Sequence, residues 1–565
     1  MAGLTSRLPI GTDDFRKLRR QRALYVDKSG FIADVVRSNA EVLLFTRPRR
    51  FGKSLNLSML GYFLEQGEED LTELFADLAV WQDADVRAEL QAHPVIRLTL
   101  KDVKAESFDL CLQGLQRVLK REFQRHEPSL AQHLTPTEKR DFSRITDGTA
   151  GQAELEGALS FLSALVARAH HRLVFLLLDE YDTPVHAAYV NGYYDRAIIF
   201  FRNFFSEAFK GNPHLAKGVL TGILRIAQES VFSGLNNLDV RTVLDQSFRT
   251  AFGFTRAEVD WLAARTGHEQ HVAELESWYD GYDFGGAVMF NPWSVLKFLD
   301  RPEEGCRPYW VSTGDDALLR ELLARGQFSV APDLHSLMAG DGLERSLRDG
   351  IVMRDLECDP AAIWTLLLHL GYLRAEPARA AERTPSAVYH LRIPNREVRY
   401  NYAAMFRGSL DRSLGGESAT AELIDALLAG AAEVAEERLG RILLTLLSYH
   451  DTAGPTPERV YHALVLGLLA HLEERFDVRS NVEAGRGRVD VVVAPLRAGE
   501  PGVVLELKSL RRSPVGRPES ELARALAQIR DRDYAAPLRS KRAAPIHGLA
   551  LVFHDKRVWV RAAPL

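Results

Sequence analysis

Short runs that are wholly or largely apolar recur through the first 250 residues, separated by stretches of helical periodicity. The run Leu43-Leu44-Phe45 is the shortest of them, and residues 95–100, 173–178 and 218–224 carry longer ones. A strand without polar alternation suits a sheet covered on both faces, as in parallel sheets, and the amphipathic segments between the runs supply the covering helices. Residues 1–254 therefore read as an α/β domain. From 255 to 412 the pattern becomes mainly helical, beginning with Thr255 as a cap and Glu258 three positions on. This middle region reads as a helical lid with a small winged-helix-like unit, whose last strand is Tyr389-His390-Leu391-Arg392-Ile393-Pro394. The stretch Ser413-Leu414-Gly415-Gly416-Glu417-Ser418 has linker composition. Residues 419–565 open with Ala- and Leu-rich helical stretches near 420–437 and 457–475. Strands at 487–493 and 502–508 follow, then a helix near 518–533 and closing strands at 547–553 and 557–561.

Composition narrows the class without naming a function. The 46% hydrophobic and 26% charged fractions are those of an ordinary globular protein. A net charge of −5 gives no global attraction to nucleic acid, so such contacts must come from local patches. Cys111, Cys306 and Cys358 are scattered and form neither a disulfide framework nor a metal-ligand pair, which fits a reducing compartment. No stretch reaches the roughly 18 apolar residues of a membrane span, and the N-terminus has no secretory apolar core. The expectation is a cytoplasmic protein with no membrane partner; a homo-oligomer is compatible with the sequence.

The first candidate chemistry lies where the strand at 43–46 meets a basic loop. Arg47-Pro48-Arg49-Arg50-Phe51-Gly52-Lys53-Ser54 leads directly into a helical segment. A loop before a helix N-terminus turns backbone N–H groups and the positive end of the helix toward phosphates. Lys53 is placed to reach the terminal phosphates, and the Ser54 hydroxyl to ligate Mg²⁺. The common pattern G-x-x-x-x-G-K-[ST] has glycine where this chain has Arg47. Asp179 and Glu180 end the apolar run 173–178, at the carboxyl edge where open α/β sheets bind ligands. Asp179 is assigned to the Mg²⁺ shell and Glu180 to orienting or deprotonating the attacking water. Arg225, just beyond the run 218–224, is a candidate sensor of the terminal phosphate.

These motifs carry a resemblance. Leu8-Pro9-Ile10-Gly11, Tyr25-Val26-Asp27-Lys28, the loop 47–54, Leu178-Asp179-Glu180-Tyr181-Asp182, Thr221-Gly222-Ile223, Trp278-Tyr279-Asp280-Gly281-Tyr282 and Asn291-Pro292-Trp293-Ser294 occur in one order. Together they resemble the bacterial and archaeal AAA-ATPase-like proteins that carry a C-terminal PD-(D/E)XK nuclease domain. In that family the loop itself reads R-P-R-R-F-G-K-S, so the missing glycine is expected. The resemblance implies ATP as cofactor, held by Pro48, Arg49, Arg50, Phe51, Gly52, Lys53 and Ser54. It also implies a P-loop NTPase fold followed by a restriction-endonuclease-like α/β domain.

Asp490, with Glu506-Leu507-Lys508 sixteen residues on, is the second constellation. Strand side chains alternate, so Glu506 and Lys508 share a face while Leu507 points into the core. Asp490 on the neighbouring strand adds a carboxylate, and hard oxygen ligands suit Mg²⁺ or Mn²⁺. Asp490 and Glu506 are the expected metal ligands, and Lys508 the residue that orients or activates water. In the family's pattern Glu458 or Glu483 completes the site, and Gln528 and Tyr534 resemble a Gln-and-Tyr helix of RecB-like exonucleases, with longer spacing. Arginines around this site, among them Arg486, Arg488, Arg511 and Arg512, fit a phosphate-contacting footprint. The expected activity is an ATP-hydrolysing protein fused to a metal-dependent nuclease that acts on DNA, with defence against mobile DNA as a role. The rivals are a nucleotide-dependent interaction switch that binds nucleic acid without cutting it, and an RNA-cleaving toxin.

Overall fold

The computed structural model describes residues 7–225, 236–310, 359–377, 388–402, 418–446, 457–469, 475–510 and 517–565, with shorter pieces from 333 to 357 and at 404 and 472. The expected linker, apart from Ser418, lies outside the described residues, as do Arg511, Arg512 and Cys358. The chain forms two compact units, one of residues 1–315 and 344–395, the other of 316–343 and 396–565.

In the first unit five parallel strands lie in the order β2-β3-β4-β1-β5. They are β1 (Val42–Thr46), β2 (Val95–Thr99), β3 (Val174–Asp179), β4 (Leu215–Gly222) and β5 (Leu238–Arg241). Every residue of β1 and β3 is buried, which is why neither alternates. Helices α1 (Lys53–Leu64), α2 (Phe108–Leu130), α3 (Thr183–Val190) and α4 (Tyr194–Phe209) belong to the same unit. α4 is rich in phenylalanine, and it approaches β4 so closely that a Cβ on Gly218 would lie 2.7 Å from the Phe209 ring. Burying a Phe or Leu side chain contributes about 1.5–3 kcal/mol, so this sheet is the main stabiliser of the unit. β5 escaped the sequence reading because its four residues are half-buried and end in Arg241.

Residues 255–315 and 344–395 of the middle region belong to this unit too, whereas 316–343 and 396–412 fall in the other. α5 (Arg256–Thr266) starts with the expected reciprocal cap: Thr255 Oγ1 accepts from Glu258 N, and the Glu258 carboxylate accepts from Thr255 N. The hairpin of β6 (Tyr282–Phe284) and β7 (Ala287–Met289) leads to α6 (Pro292–Asp300), whose cap is Asn291. α7 (Pro360–Leu370) ends at Gly371 and is followed by the antiparallel pair β8 (Arg374–Pro377) and β9 (Val388–Arg392). Gly371 sits at φ 88°, and a Cβ there would lie 2.9 Å from that of Pro48.

The second unit has helices α8 (Ser418–Ala429), α9 (Ala432–Leu446) and α10 (Pro457–Leu469) ahead of a five-stranded mixed sheet. Its strands are β10 (Phe476–Ala484), β11 (Gly487–Pro495), β12 (Gly502–Ser509), β13 (Ile546–His554) and β14 (Arg557–Pro564), adjacent in chain order. Only β12 and β13 are parallel. The helix α11 (Arg517–Asp531) connects them. On one face Val491, Val493, Leu505 and Leu507 pack with Leu423, Leu439 and Leu464 of the helices. On the other, Val492 and Val504 meet Ile529 and Tyr534. The helical stretch expected over 420–437 is broken at Gly430, which adopts φ 68° and lies so near His547 that a Cβ would be 2.6 Å from the ring nitrogen. β10, with polar residues at most positions, had no apolar run to announce it. Among the described residues no helix is long and apolar enough to cross a membrane.

Candidate active sites

β1 delivers the chain to the loop 47–52, and two left-handed residues turn it into α1: Arg50 at φ 68° and Gly52 at φ 87°. Gly52 caps α1, and glycine enters this region without steric cost. The Lys53 side chain is buried and folds back, its Nζ donating to Arg47 O at 2.9 Å and Pro48 O at 2.8 Å. Burial lowers its pKa to about 8, against the pull of Glu180, Asp179 and Asp182. Ser54 Oγ donates to Asp179 Oδ2 at 2.6 Å, and the Thr221 hydroxyl donates to the other Asp179 oxygen. Burial raises the Asp179 pKa, and those two hydrogen bonds oppose the rise. Glu180 breaks from β3 at φ 53°, a costly backbone for a non-glycine residue, and its Oε2 accepts from Thr183 Oγ1 at 3.1 Å.

These groups border a cavity of about 430 Å³, within the range of small-molecule sites. Arg49, Arg50, Phe51, Gly52, Lys53, Ser54 and Glu180 line it, and Val26, Phe254, Leu262 and Trp293 form an apolar wall. Arg50 stacks over the Trp293 ring at 4.3 Å. Pro48 supplies a carbonyl to Lys53 and packs against Gly371. Arg225 follows β4, half-buried, where its charge and that of Arg47 add to burial in lowering the His369 pKa to about 4.

Three residues important here had no role assigned from sequence. Arg47, in place of the common glycine, is fully buried; its guanidinium donates to Thr46 O (2.8 Å) and Arg241 O (2.9 Å) and lies over the Phe252 and Phe284 rings. It ties β1 to β5 beneath the loop. Thr221 fixes Asp179. Asp182, also buried, accepts from Ile223 N (2.9 Å) and Leu224 N (2.8 Å) and so fastens the end of β4. A buried arginine inside a basic loop reads in sequence like any other cation, so composition carried no signal for Arg47.

In the second unit Val491 pairs with Leu505, and Asp490 and Glu506 are the residues next to that pair on the two strands. Asp490 Oδ2 accepts from Leu507 N at 2.8 Å. Asn481, at φ 52°, stands where the β10 ladder would meet Asp490, and Val489 and Val491 join cores on opposite faces. Such local distortions re-aim strand side chains. Glu506 is 1% exposed, and its Oε1 accepts from Lys508 Nζ (2.7 Å) and Gln528 Nε2 (2.6 Å). Its Oε2 is buried with no hydrogen-bond partner. Burial and then the Asp490 charge raise the Glu506 pKa, while Lys508 and Gln528 oppose them.

Asp490, Glu506 and Lys508 are thus brought together. Gln528 joins them despite its unfamiliar spacing, because α11 packs on the Glu506 face; Tyr534 stands behind it, donating to Arg488 O at 2.7 Å. His462 of α10 hydrogen-bonds Asp490 O at 3.1 Å. Glu483 is exposed and pairs across the ladder with Arg488, and among the described residues no cluster of three His, Cys, Asp or Glu side chains forms. The Glu458 side chain lies outside the described residues. Arg486, Arg488, Arg530, Arg532 and Arg542 are exposed, whereas Arg539 pairs with Asp533 and Lys541 with Asp477.

Known proteins resemble both parts of the chain. A relative from Azotobacter chroococcum mcd 1, described as an uncharacterized protein in the vnfD 5' region, is 29% identical over 556 residues, 97% of this chain and 96% of the relative. Residues 9–232 match the family model described as Predicted AAA-ATPase, which spans the loop 47–54, Asp179 and Glu180. Residues 456–563 match the PD-(D/E)XK nuclease superfamily, which spans Asp490, Glu506 and Lys508. The chain thus joins an AAA-ATPase-like domain to a C-terminal domain of the PD-(D/E)XK nuclease superfamily.

Proposed function

We propose that the chain hydrolyses ATP in the cavity between loop 47–54 and Glu180, and that its second unit cleaves DNA at Asp490, Glu506 and Lys508. The observation that carries the nuclease half is the state of Glu506. One of its oxygens is held by Lys508 and Gln528, and the other is buried without a partner. An unsatisfied buried oxygen costs about 1–3 kcal/mol. Glu506 and Asp490 would hold a hard divalent cation, which would give that lone pair a partner and offset the two carboxylate charges. When bound, Mg²⁺ or Mn²⁺ supplies charge against the scissile phosphate and acidifies water. Lys508 orients the attacking water, and Gln528 keeps Glu506 in its rotamer. Ser54 and Asp179, already 2.6 Å apart, are the groups that would hold Mg²⁺ with the triphosphate, and Glu180 takes the proton of the attacking water. The exposed arginines around the second site are placed to neutralise DNA phosphates. Defence against mobile DNA is the role we attach to a nuclease joined to an ATPase.

The test is to incubate the full chain with plasmid, linear duplex, single-stranded DNA and RNA, each with and without ATP, Mg²⁺ and Mn²⁺. Metal-dependent cleavage of DNA is expected. Cleavage confined to RNA would replace DNA with RNA as the substrate, and binding without cleavage of any substrate would make the second unit a nucleic-acid-binding module.

A further inference from the structure

The nucleotide cavity has cations from two sources. Arg49, Arg50 and Lys53 come from the loop before α1; Lys101 and Lys104 come from the turn after β2 and line the same cavity with Glu180 and Thr183. The sheet register accounts for the second source. β2 and β3 are parallel neighbours, Thr99 pairs with Asp179, and Leu100 N donates to Asp179 O at 2.9 Å. The chain leaving β2 therefore passes beside the residue that follows Asp179, which is Glu180. Lys101 Nζ lies 3.4 Å from Asp13 Oδ2, and Asp13 also lines the cavity. Both side chains are about half exposed, 47% and 64%, so this pair sits at the open side of the cavity and its mutual attraction is weak. A phosphate bearing a full negative charge competes readily for such a lysine.

We propose that Lys101 and Lys104 contact the terminal phosphate and serve as catalytic cations of the hydrolysis, an inference that rests on the nucleotide-hydrolase reading above. In the step, water attacks the γ-phosphorus and a P–O bond forms. The bond from the γ-phosphorus to the bridging oxygen breaks, its electron pair remains on the β-phosphate, and the proton of the water passes to Glu180. Charge grows on the oxygens around the transferred group. Lys53 and the N-terminal N–H groups of α1 face the phosphates from the loop side. Lys101 and Lys104 face them from the strand side, next to Glu180, where the attacking water stands. Cations placed there interact with a group that ADP lacks, so they discriminate ATP from ADP and favour the transition state over both.

Calorimetry with Mg²⁺-ATP and Mg²⁺-ADP, together with steady-state kcat, tests this on the full chain and on the Lys101→Ala/Lys104→Ala protein. A Lys101→Arg/Lys104→Arg protein serves as the conservative control. The Ala pair should lower kcat by about 100-fold and ATP affinity by about tenfold, with ADP affinity within about twofold of the parent. The Arg pair should recover most of kcat. Since both lysines are exposed, all three proteins should melt alike. Parental kcat in the Ala pair, or equal losses of ATP and ADP affinity, would overturn the inference while leaving the nucleotide site standing. A parent that binds neither nucleotide would overturn the nucleotide reading and this inference with it.

Discussion

Lys53 is the residue on which the nucleotide site turns. Its ammonium donates to two loop carbonyls, and it is the first residue of α1. A phosphate oxygen competes with those carbonyls for the ammonium, and two charge-assisted hydrogen bonds from Lys53 to the terminal phosphates, at about 1.5–3 kcal/mol each, would account for about 100-fold or more in ATP affinity. Lys53→Ala tested by calorimetry should show that loss; parental affinity would place the phosphates elsewhere. Gly222 sets a different constraint. A Cβ there would lie 2.5 Å from the Tyr181 ring and 2.7 Å from Asp182 Oδ1. Gly222→Ala should therefore destabilise the protein by about 1–3 kcal/mol and disturb the Asp182 clamp. An unchanged denaturation midpoint would show that β4 has more room than this packing allows. Lys53, Ser54, Asp179 and Glu180 were legible in the sequence because a loop-to-helix turn and a strand end each dictate a residue type. Asp182 was not, because its partners are the backbone N–H groups of residues 223 and 224, which no sequence pattern displays.

At the scale of elements, the edge strand β2 is fastened to α2 by a buried ionic cluster. Glu122 accepts from Arg125 (2.9 and 2.6 Å) and from the backbone N of Arg97 (2.8 Å), and the same arginine also pairs with Glu65. Burial pushes the Glu122 carboxyl up, but hydrogen bonds and charge from Arg125 and His126 outweigh it and hold the pKa at about 2. Its folded value thus lies below the ordinary 4.5. Stability from this group is complete above pH about 4.5 and is lost as pH falls toward about 2. Thermal unfolding followed from pH 6 to about pH 3 should show a steeper acid loss in the parent than in Glu122→Gln; equal slopes would mean that the cluster does not carry the dependence. Elements buried on both faces announced themselves as mainly apolar runs, so β1, β3, β4, β11, β12 and β13 were found within a few residues of their ends. β5 and β10 were missed because a half-exposed edge strand has no such run. The break at Gly430 was hidden because Ala- and Leu-rich sequence flanks it on both sides, and only the nearby His547 shows why glycine stands there.

At the scale of the whole molecule, the chain divides into two compact units, each with its own sheet and its own candidate chemistry. The net charge of −5 said nothing of this division, because exposed arginines beside Asp490 and Glu506 are balanced by acids elsewhere. The three domains expected from sequence rested on changes of periodicity; the packing of Pro48 against Gly371 and of Phe51 against Tyr282 and Phe284, side chains far apart in the chain, is what periodicity could not show. Since the two sites have separate cores, removing chemistry at the second site should leave ATP hydrolysis at the first working. In the proposed nuclease the buried, half-satisfied carboxylate of Glu506 is a metal ligand. The direct measurement is cleavage of linear duplex DNA by Glu506→Ala in Mg²⁺ and Mn²⁺, with ATP hydrolysis assayed in the same preparation. Cleavage should fall by at least about 100-fold, with ATP hydrolysis within about twofold of the parent. Undiminished metal-dependent cleavage by Glu506→Ala would contradict that role for Glu506.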